Sequence, residues 1–336
     1  MKTYLPRRLV LVACAVLAAC TTVQTTGSGT VGVTRTQQMS MLVSASQIEA
    51  QAAAFYSDEV RKSRANGVLN TDVALTQRVR NIGARLIPHV AVFNPAAPGW
   101  TWEINVKNNN DLNAWCAAGG KIMFYTGIIN RLRLTDDEIA AVMGHEMAHA
   151  LREHSRERAS AQMNAQLGLT LLQVATRSQQ VNSQAADMAK LLYILPNSRT
   201  HETEADRMGI ELMARAGYDP RAAISVWHKM SAATGGRSGP EYMSTHPSHS
   251  SRISDLTQYE QLVRPLHQVA VRQGGPASIV PVAAAMVPAA PVAAPSPVGA
   301  SAGPAAVPAA AASGAARPAT GGYTPAIPNP SMFRRN

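Results

Sequence analysis

His145-Glu146-Met147-Ala148-His149 has the residue types and the spacing of a metal site carried on a helix. Residues four apart on a helix lie one above the other on the same face, so His145 and His149 can grip a single ion. Glu146 projects beside them, where a carboxylate can take a proton from water activated by that ion. The chemistry this set suits is metal-assisted hydrolysis. Five residues are thin support by themselves. Two ordinary core histidines bonded to carbonyls are the rival account, and that account must also explain the adjacent glutamate.

A third ligand has to come from elsewhere, because catalytic zinc usually takes three protein ligands and leaves one position for water. The best candidate lies in Ser198-Arg199-Thr200-His201-Glu202-Thr203-Glu204-Ala205-Asp206-Arg207-Met208-Gly209. Glu202 and Asp206, four apart, share one face of a second predicted helix. Glu202 can bind the metal, while Asp206, one turn on, can orient a first-helix histidine by accepting its free ring N–H. Alone, the pair would read as a solvated acidic face, the usual fate of Asp and Glu on helices.

The elements that must position these groups are legible in outline. Thr135 is the expected N-cap of the motif helix, with Glu138 as its capping-box partner. The mostly apolar run that follows calls for a buried helix. Residues 45–66 and 72–91 read as amphipathic helices broken around Gly67 and Asn70. Residues 101–106 alternate like a strand, and 121–126 read as a second strand leading into a helix over 127–132. Such a small sheet beside the active-site helix would accept a substrate chain by strand addition, a mode that tolerates many sequences. Leu167–Leu172 and Leu191–Leu195 fall short of the roughly 18 apolar residues of a membrane span. They read either as helices over the cleft, one form of lid, or as ordinary core helices. The fold class is α+β, mainly helical.

Taken in series, these stretches resemble the gluzincin metallopeptidases related to HtpX and the CaaX prenyl protease. The likeness is strongest to the bacterial envelope branch that includes LoiP and BepA, and to the mitochondrial Oma-type peptidases. Beyond the two motifs, the matching stretches are Asn113-Ala114-Trp115-Cys116 with Gly119-Gly120-Lys121-Ile122, Phe124-Tyr125-Thr126-Gly127, and His149 to His154. Further on come Ala216 to Pro220, and Ser244-Thr245-His246-Pro247 followed by Ser251-Arg252-Ile253. The resemblance spans roughly residues 40–260 and implies a zincin-like fold with one Zn²⁺ per chain. It implies His145, His149 and Glu202 as ligands, Glu146 as general base and Asp206 as the group that orients a ligand. His246 resembles a histidine that approaches the zinc in the BepA branch. Here it is either an autoinhibitory fourth ligand or a transition-state donor, and the sequence does not choose. Ala118 departs from the proline that relatives often carry before the Gly-Gly pair, which puts the turn geometry in question and not the chemistry.

The ends of the chain suggest an address. Residues 1–19 have the positive start and short apolar core of an export signal. Leu17-Ala18-Ala19-Cys20 resembles a bacterial lipobox, which implies cleavage before Cys20 and its lipidation, an effectively permanent anchor. A plain secretory signal with a coincidental cysteine is the alternative. Thr21 in place of Asp after the cysteine implies the outer membrane, with the protein facing the periplasm. Residues 20–40 are expected as a linker, 41–265 as the peptidase domain and 266–336 as a disordered Ala/Pro-rich tail. Of three cysteines, Cys14 leaves with the signal and Cys20 is acylated. That leaves Cys116 as a small apolar filler with no internal disulfide partner. A formal charge of +10 without a dense basic block, and with 5% aromatics, fits an anionic membrane surface and gives no case for nucleic acid. The function expected is a membrane-anchored zinc metalloendopeptidase acting on unfolded or misassembled envelope proteins, with envelope assembly machinery as a candidate partner. The alternative is a zinc-bearing lipoprotein working mainly as a chaperone, with latent proteolysis.

Overall fold

The computed structural model describes residues 20–176, 198–234, 246 and 250–274. In chain order these form β1 (Cys20–Val23), β2 (Gln37–Ser40), α1 (Ala45–Ala65), α2 (Val73–Leu86), β3 (Glu103–Lys107), β4 (Ala114–Ala117) and β5 (Lys121–Tyr125). They continue with α3 (Thr126–Leu132), α4 (Asp136–Leu151), α5 (His154–Thr176), α6 (Arg199–Arg215), α7 (Arg221–Thr234) and α8 (Ser250–Arg272). The architecture is the mainly helical α+β class expected, with small sheets beside the helices.

Local chemistry sets the boundaries. Ser44 and Gln47 form a capping box at the start of α1, and Asp72 accepts the Leu75 amide at the start of α2. α2 stops at Leu86, short of the expected 91, and a 3₁₀ turn containing Pro88 runs on to Val92. The three-stranded sheet has the order β3-β5-β4, with β3 parallel and β4 antiparallel to the central β5. Gly119 and Gly120, with φ of +75° and +79°, make the turn between β4 and β5. Both lie in the left-handed region that glycine enters without steric cost. Cys116 sits half-buried on the edge strand β4 and packs against the core, and burial pushes its thiol well above the ordinary value. A thiol of that kind is inert.

α4 is the central element. Thr135 Oγ1 accepts the Glu138 amide at 3.3 Å and Glu138 Oε2 accepts the Thr135 amide at 2.8 Å, the reciprocal cap expected. Every residue from Glu138 to Leu151 is buried. α6 crosses α4 with two glycines back to back. A Cβ on Gly144 would lie 2.8 Å from the Gly209 carbonyl oxygen, and one on Gly209 would lie 2.7 Å from the His145 amide. Backbone must therefore move if either gains a side chain. This close approach lets Glu202 and Asp206 reach His145 and His149.

The expectation of a linker over 20–40 needs correction. β1 and β2 pair antiparallel, with Cys20 opposite Ser40. Val31, Val33 and Met39 are buried, and the amides of Thr30 and Val31 donate to the buried Glu211 carboxylate. These three buried apolar side chains seat the stretch on the domain. At the other end α8 runs to Arg272, past the expected boundary at 265, and carries Pro265 within it. Leu191–Leu195, residues 1–19 and residues 275–336 lie outside the described residues.

Candidate metal centre

α4 presents His145 and His149 one turn apart on the face that meets α6, as their spacing requires. The two Nε2 atoms stand 3.1 Å apart. Glu202, fully buried on the first turn of α6, places Oε2 3.4 Å from His145 Nε2 and Oε1 3.4 Å from His149 Nε2. Four donors set tetrahedrally about 2.0–2.1 Å from a zinc ion stand about 3.3 Å from each other. The observed spacings fit that figure. Two buried imidazole nitrogens and a carboxylate converging on one point are the donor set zinc takes, so the residues fit the ion.

Asp206 stands beside the first of these histidines. Asp206 Oδ1 lies 2.9 Å from His145 Nδ1, which fixes that ring nitrogen as a donor and leaves Nε2 as the atom that would bind a metal. Arg252, 1% exposed, was not foreseen as part of the site. Its guanidinium donates to Asp206 at 2.6 and 2.7 Å and to Glu202 at 2.7 Å, and it stacks 3.8 Å above the Trp227 ring. A signal for it exists in the sequence. An arginine in the first turn of a helix opposes the helix dipole, so it needs carboxylates to hold it there.

Electrostatics favour a cation. Burial works to raise the Glu202 carboxyl, but His246 and Arg252 hold it well below the ordinary range. Burial likewise opposes, and Arg252 overcomes, the ionisation of Asp206. Burial would lower His145, yet its bonds to Asp206 and Glu202 lift it to about 9, whereas burial holds His149 well below its ordinary value. Three buried ligand groups, with a carboxylate held ionised among them, make a site that stabilises positive charge.

His246 also enters. Its Nδ1 lies 3.2 Å from His145 Nε2 and 3.1 Å from Glu202 Oε1, while its Nε2 lies 3.5 Å from Glu146 Oε1. The donor atoms of His145, His149, Glu202 and His246 all fall within 4.8 Å of one another. Beside them a recess of about 310 Å³, counted with its open mouth, is lined by His149, Trp100, Ala118, Ile48 and Arg156. Cys20 lies apart from these groups in sequence, on β1.

Such a buried His-Glu-His set on one helix, completed by a glutamate from a second, defines a zinc-metallopeptidase domain. Comparison with known sequences agrees. The model of Peptidase family M48 matches residues 74–260, and the chain belongs to that family. It is 38% identical over 160 residues to mitochondrial metalloendopeptidase OMA1 of Arabidopsis thaliana, which is 48% of this chain and 32% of the relative. It is 33% identical over 197 residues to the OMA1 of Saccharomyces cerevisiae, 55% of this chain and 56% of the relative. To the beta-barrel assembly-enhancing protease of Escherichia coli K12 it is 30% identical over 224 residues, 62% of this chain and 43% of the relative. The matched region thus spans between about a third and just over half of these relatives' own lengths.

Proposed function

We propose that this chain is a membrane-anchored zinc metalloendopeptidase that cleaves unfolded or misassembled proteins of the cell envelope. The observation that carries the reading is the convergence of His145, His149 and Glu202 beside Glu146 on the same helix. When bound, zinc supplies a Lewis acid that polarises the scissile carbonyl and eases deprotonation of the attacking water. His145, His149 and Glu202 would hold it, with Asp206 placed to fix His145 and Arg252 to fix Glu202. Glu146 takes the proton from the attacking water and passes it to the leaving amine.

The sheet supports a protein substrate. β4 is the edge strand beside α4, paired with β5 on one side among the described residues, and the recess lies at its Ala118 end. An extended chain can add to such an edge through backbone bonds that read no particular sequence. Anchoring through Cys20 and outer-membrane placement rest on the lipobox resemblance. The envelope role rests on the likeness to a protease named for enhancing beta-barrel assembly. Among the described residues no helix is long and apolar enough to cross a membrane.

A second reading, a chaperone with latent proteolysis, is favoured by one observation: His246 stands against both the ligand set and Glu146. The test is zinc content and casein cleavage of the full chain in detergent. One zinc per chain is expected, retained in Glu146→Gln while cleavage falls at least about 100-fold. Normal turnover by that variant, or a wild-type chain without zinc, would sink the reading.

A further inference from the structure

His149 turns its other ring nitrogen away from the metal site. Its Nδ1 lies 2.8 Å from Nδ1 of His154, and Nε2 of His154 lies 3.1 Å from Oε2 of Glu204. All three residues are buried. Two imidazole nitrogens facing each other form a bond only if one carries a hydrogen and the other does not. Glu204 decides which. An ionised carboxylate only accepts, so His154 Nε2 donates to it and His154 Nδ1 is left bare. His149 Nδ1 must then donate, and its Nε2 keeps the lone pair a metal ligand needs.

We propose that His154 and Glu204 are positioning residues that fix the tautomer and aim of His149, and that Arg35 of the N-terminal segment locks them in place. The inference rests on the reading of His149 as a zinc ligand. It also separates the two histidines: His145 is oriented by a carboxylate directly, and His149 through an interposed imidazole. The surroundings hold His154 still. Its ring stacks on His201 with centroids 4.3 Å apart and planes 16° from parallel, and His201 Nε2 lies 3.1 Å from Glu157. Arg35 donates to Glu204 at 2.8 and 2.9 Å and to Glu157 at 2.7 and 2.9 Å. Arg152, fully buried, adds bonds to Glu204 at 3.3 and 3.4 Å. Glu153, with φ of +55°, makes the sharp turn between α4 and α5 that brings His154 back onto His149.

A second metal ion is the competing use of this cluster, because donor atoms of His154, Glu157 and His201 lie within 4.8 Å of one another. Both ring nitrogens of His154 are already engaged, by His149 and Glu204, and Nε2 of His201 by Glu157. Arg35 already supplies the positive charge that Glu157 and Glu204 would otherwise take from a metal. Orientation, not ligation, is what this geometry serves.

The experiment is zinc affinity of the full chain by competition with a chromogenic chelator, joined to the visible spectrum of the cobalt-substituted protein. Wild type, His154→Phe, His154→Asn, Glu204→Gln and Arg35→Ala are compared. Loss of an orienting partner typically costs about 10–100-fold in metal affinity. That loss is expected for His154→Phe and Glu204→Gln, with altered cobalt bands. His154→Asn, which keeps a donor and an acceptor, should recover part of it, and Arg35→Ala should fall between. Should His154→Phe fail to fold, Glu204→Gln and Arg35→Ala read the same arm; the Arg35 side chain is one-third exposed. Folded variants with affinities within about twofold of wild type and unchanged cobalt spectra would overturn the proposal. So would a second bound zinc that disappears in His154→Phe. A wild-type chain that binds no zinc sinks the parent reading instead, so the two failures are distinguishable.

Discussion

At the scale of the residue, His246 is the group whose position has the sharpest consequence. One ring nitrogen faces His145 and Glu202 and the other faces Glu146, so the ring stands between the ligand set and the proton acceptor. Water and a peptide carbonyl need that same space. His246→Ala should therefore raise casein cleavage by the full chain while zinc content stays at one per chain. A fall in kcat with zinc retained would assign His246 to stabilising the transition state. Sequence alone left these two roles open because a histidine serves both and spacing says nothing about where a ring comes to rest.

Elements carry the site by their caps and contacts. Glu138 closes the first turn of α4 and also accepts from Ser225 Oγ at 2.5 Å and Lys229 Nζ at 2.6 Å on α7. Burial works to raise its carboxyl, but Lys229, Ser225 and the Thr135 amide outweigh it and the pKa is lowered. A carboxylate with a folded pKa below its unfolded value stabilises the fold above the unfolded value of about 4.3. That contribution is lost as pH falls through the folded pKa. Glu138→Gln keeps a capping-box residue, as Gln47 is in α1, but loses the charge, and should thus cost about 1–2 kcal/mol at neutral pH through weakened bonds to Lys229 and Ser225. The gap from wild type should close as pH drops below about 4. Urea melts between pH 3 and 7 check this, and a gap that stays constant with pH would show that the charge is irrelevant. The cap itself was readable, because Thr135 and Glu138 are local in sequence. So were His145, Glu146 and His149, which one helical turn brings together, and Glu202 with Asp206. What escaped was non-local. Arg252 reaches Asp206 from α8, and Gly144 meets Gly209 only because two helices cross there. The network of Arg35, His154 and Glu204 draws on three separate segments. No periodicity records such meetings.

At the scale of the whole molecule, the N-terminal segment changes what anchoring would mean. The stretch expected to be a spacer is instead built into the body that holds the metal site. Val31, Val33 and Met39 are 2%, 3% and 0% exposed. Thr25 and Gln37 bond the Arg152 carbonyl, and Arg35 grips Glu204 and Glu157. A lipid on Cys20 would therefore attach at the edge of a hairpin and not at the end of a loose tether, since Cys20 itself pairs with Ser40. Burying each of those three side chains contributes about 1.5–3 kcal/mol, so together they approach the roughly 5–15 kcal/mol by which a whole domain is stable. A chain beginning at residue 41 is accordingly expected to lose its cooperative thermal transition and to bind zinc weakly. A chain beginning at residue 20 should melt as one unit and hold one zinc. If the shorter chain melts cooperatively within about 2 kcal/mol of the longer one, the hairpin is an ornament on the fold. If it does not, the N-terminal segment is part of the enzyme, and any force on its end acts on Arg35, which reaches His149 through Glu204 and His154.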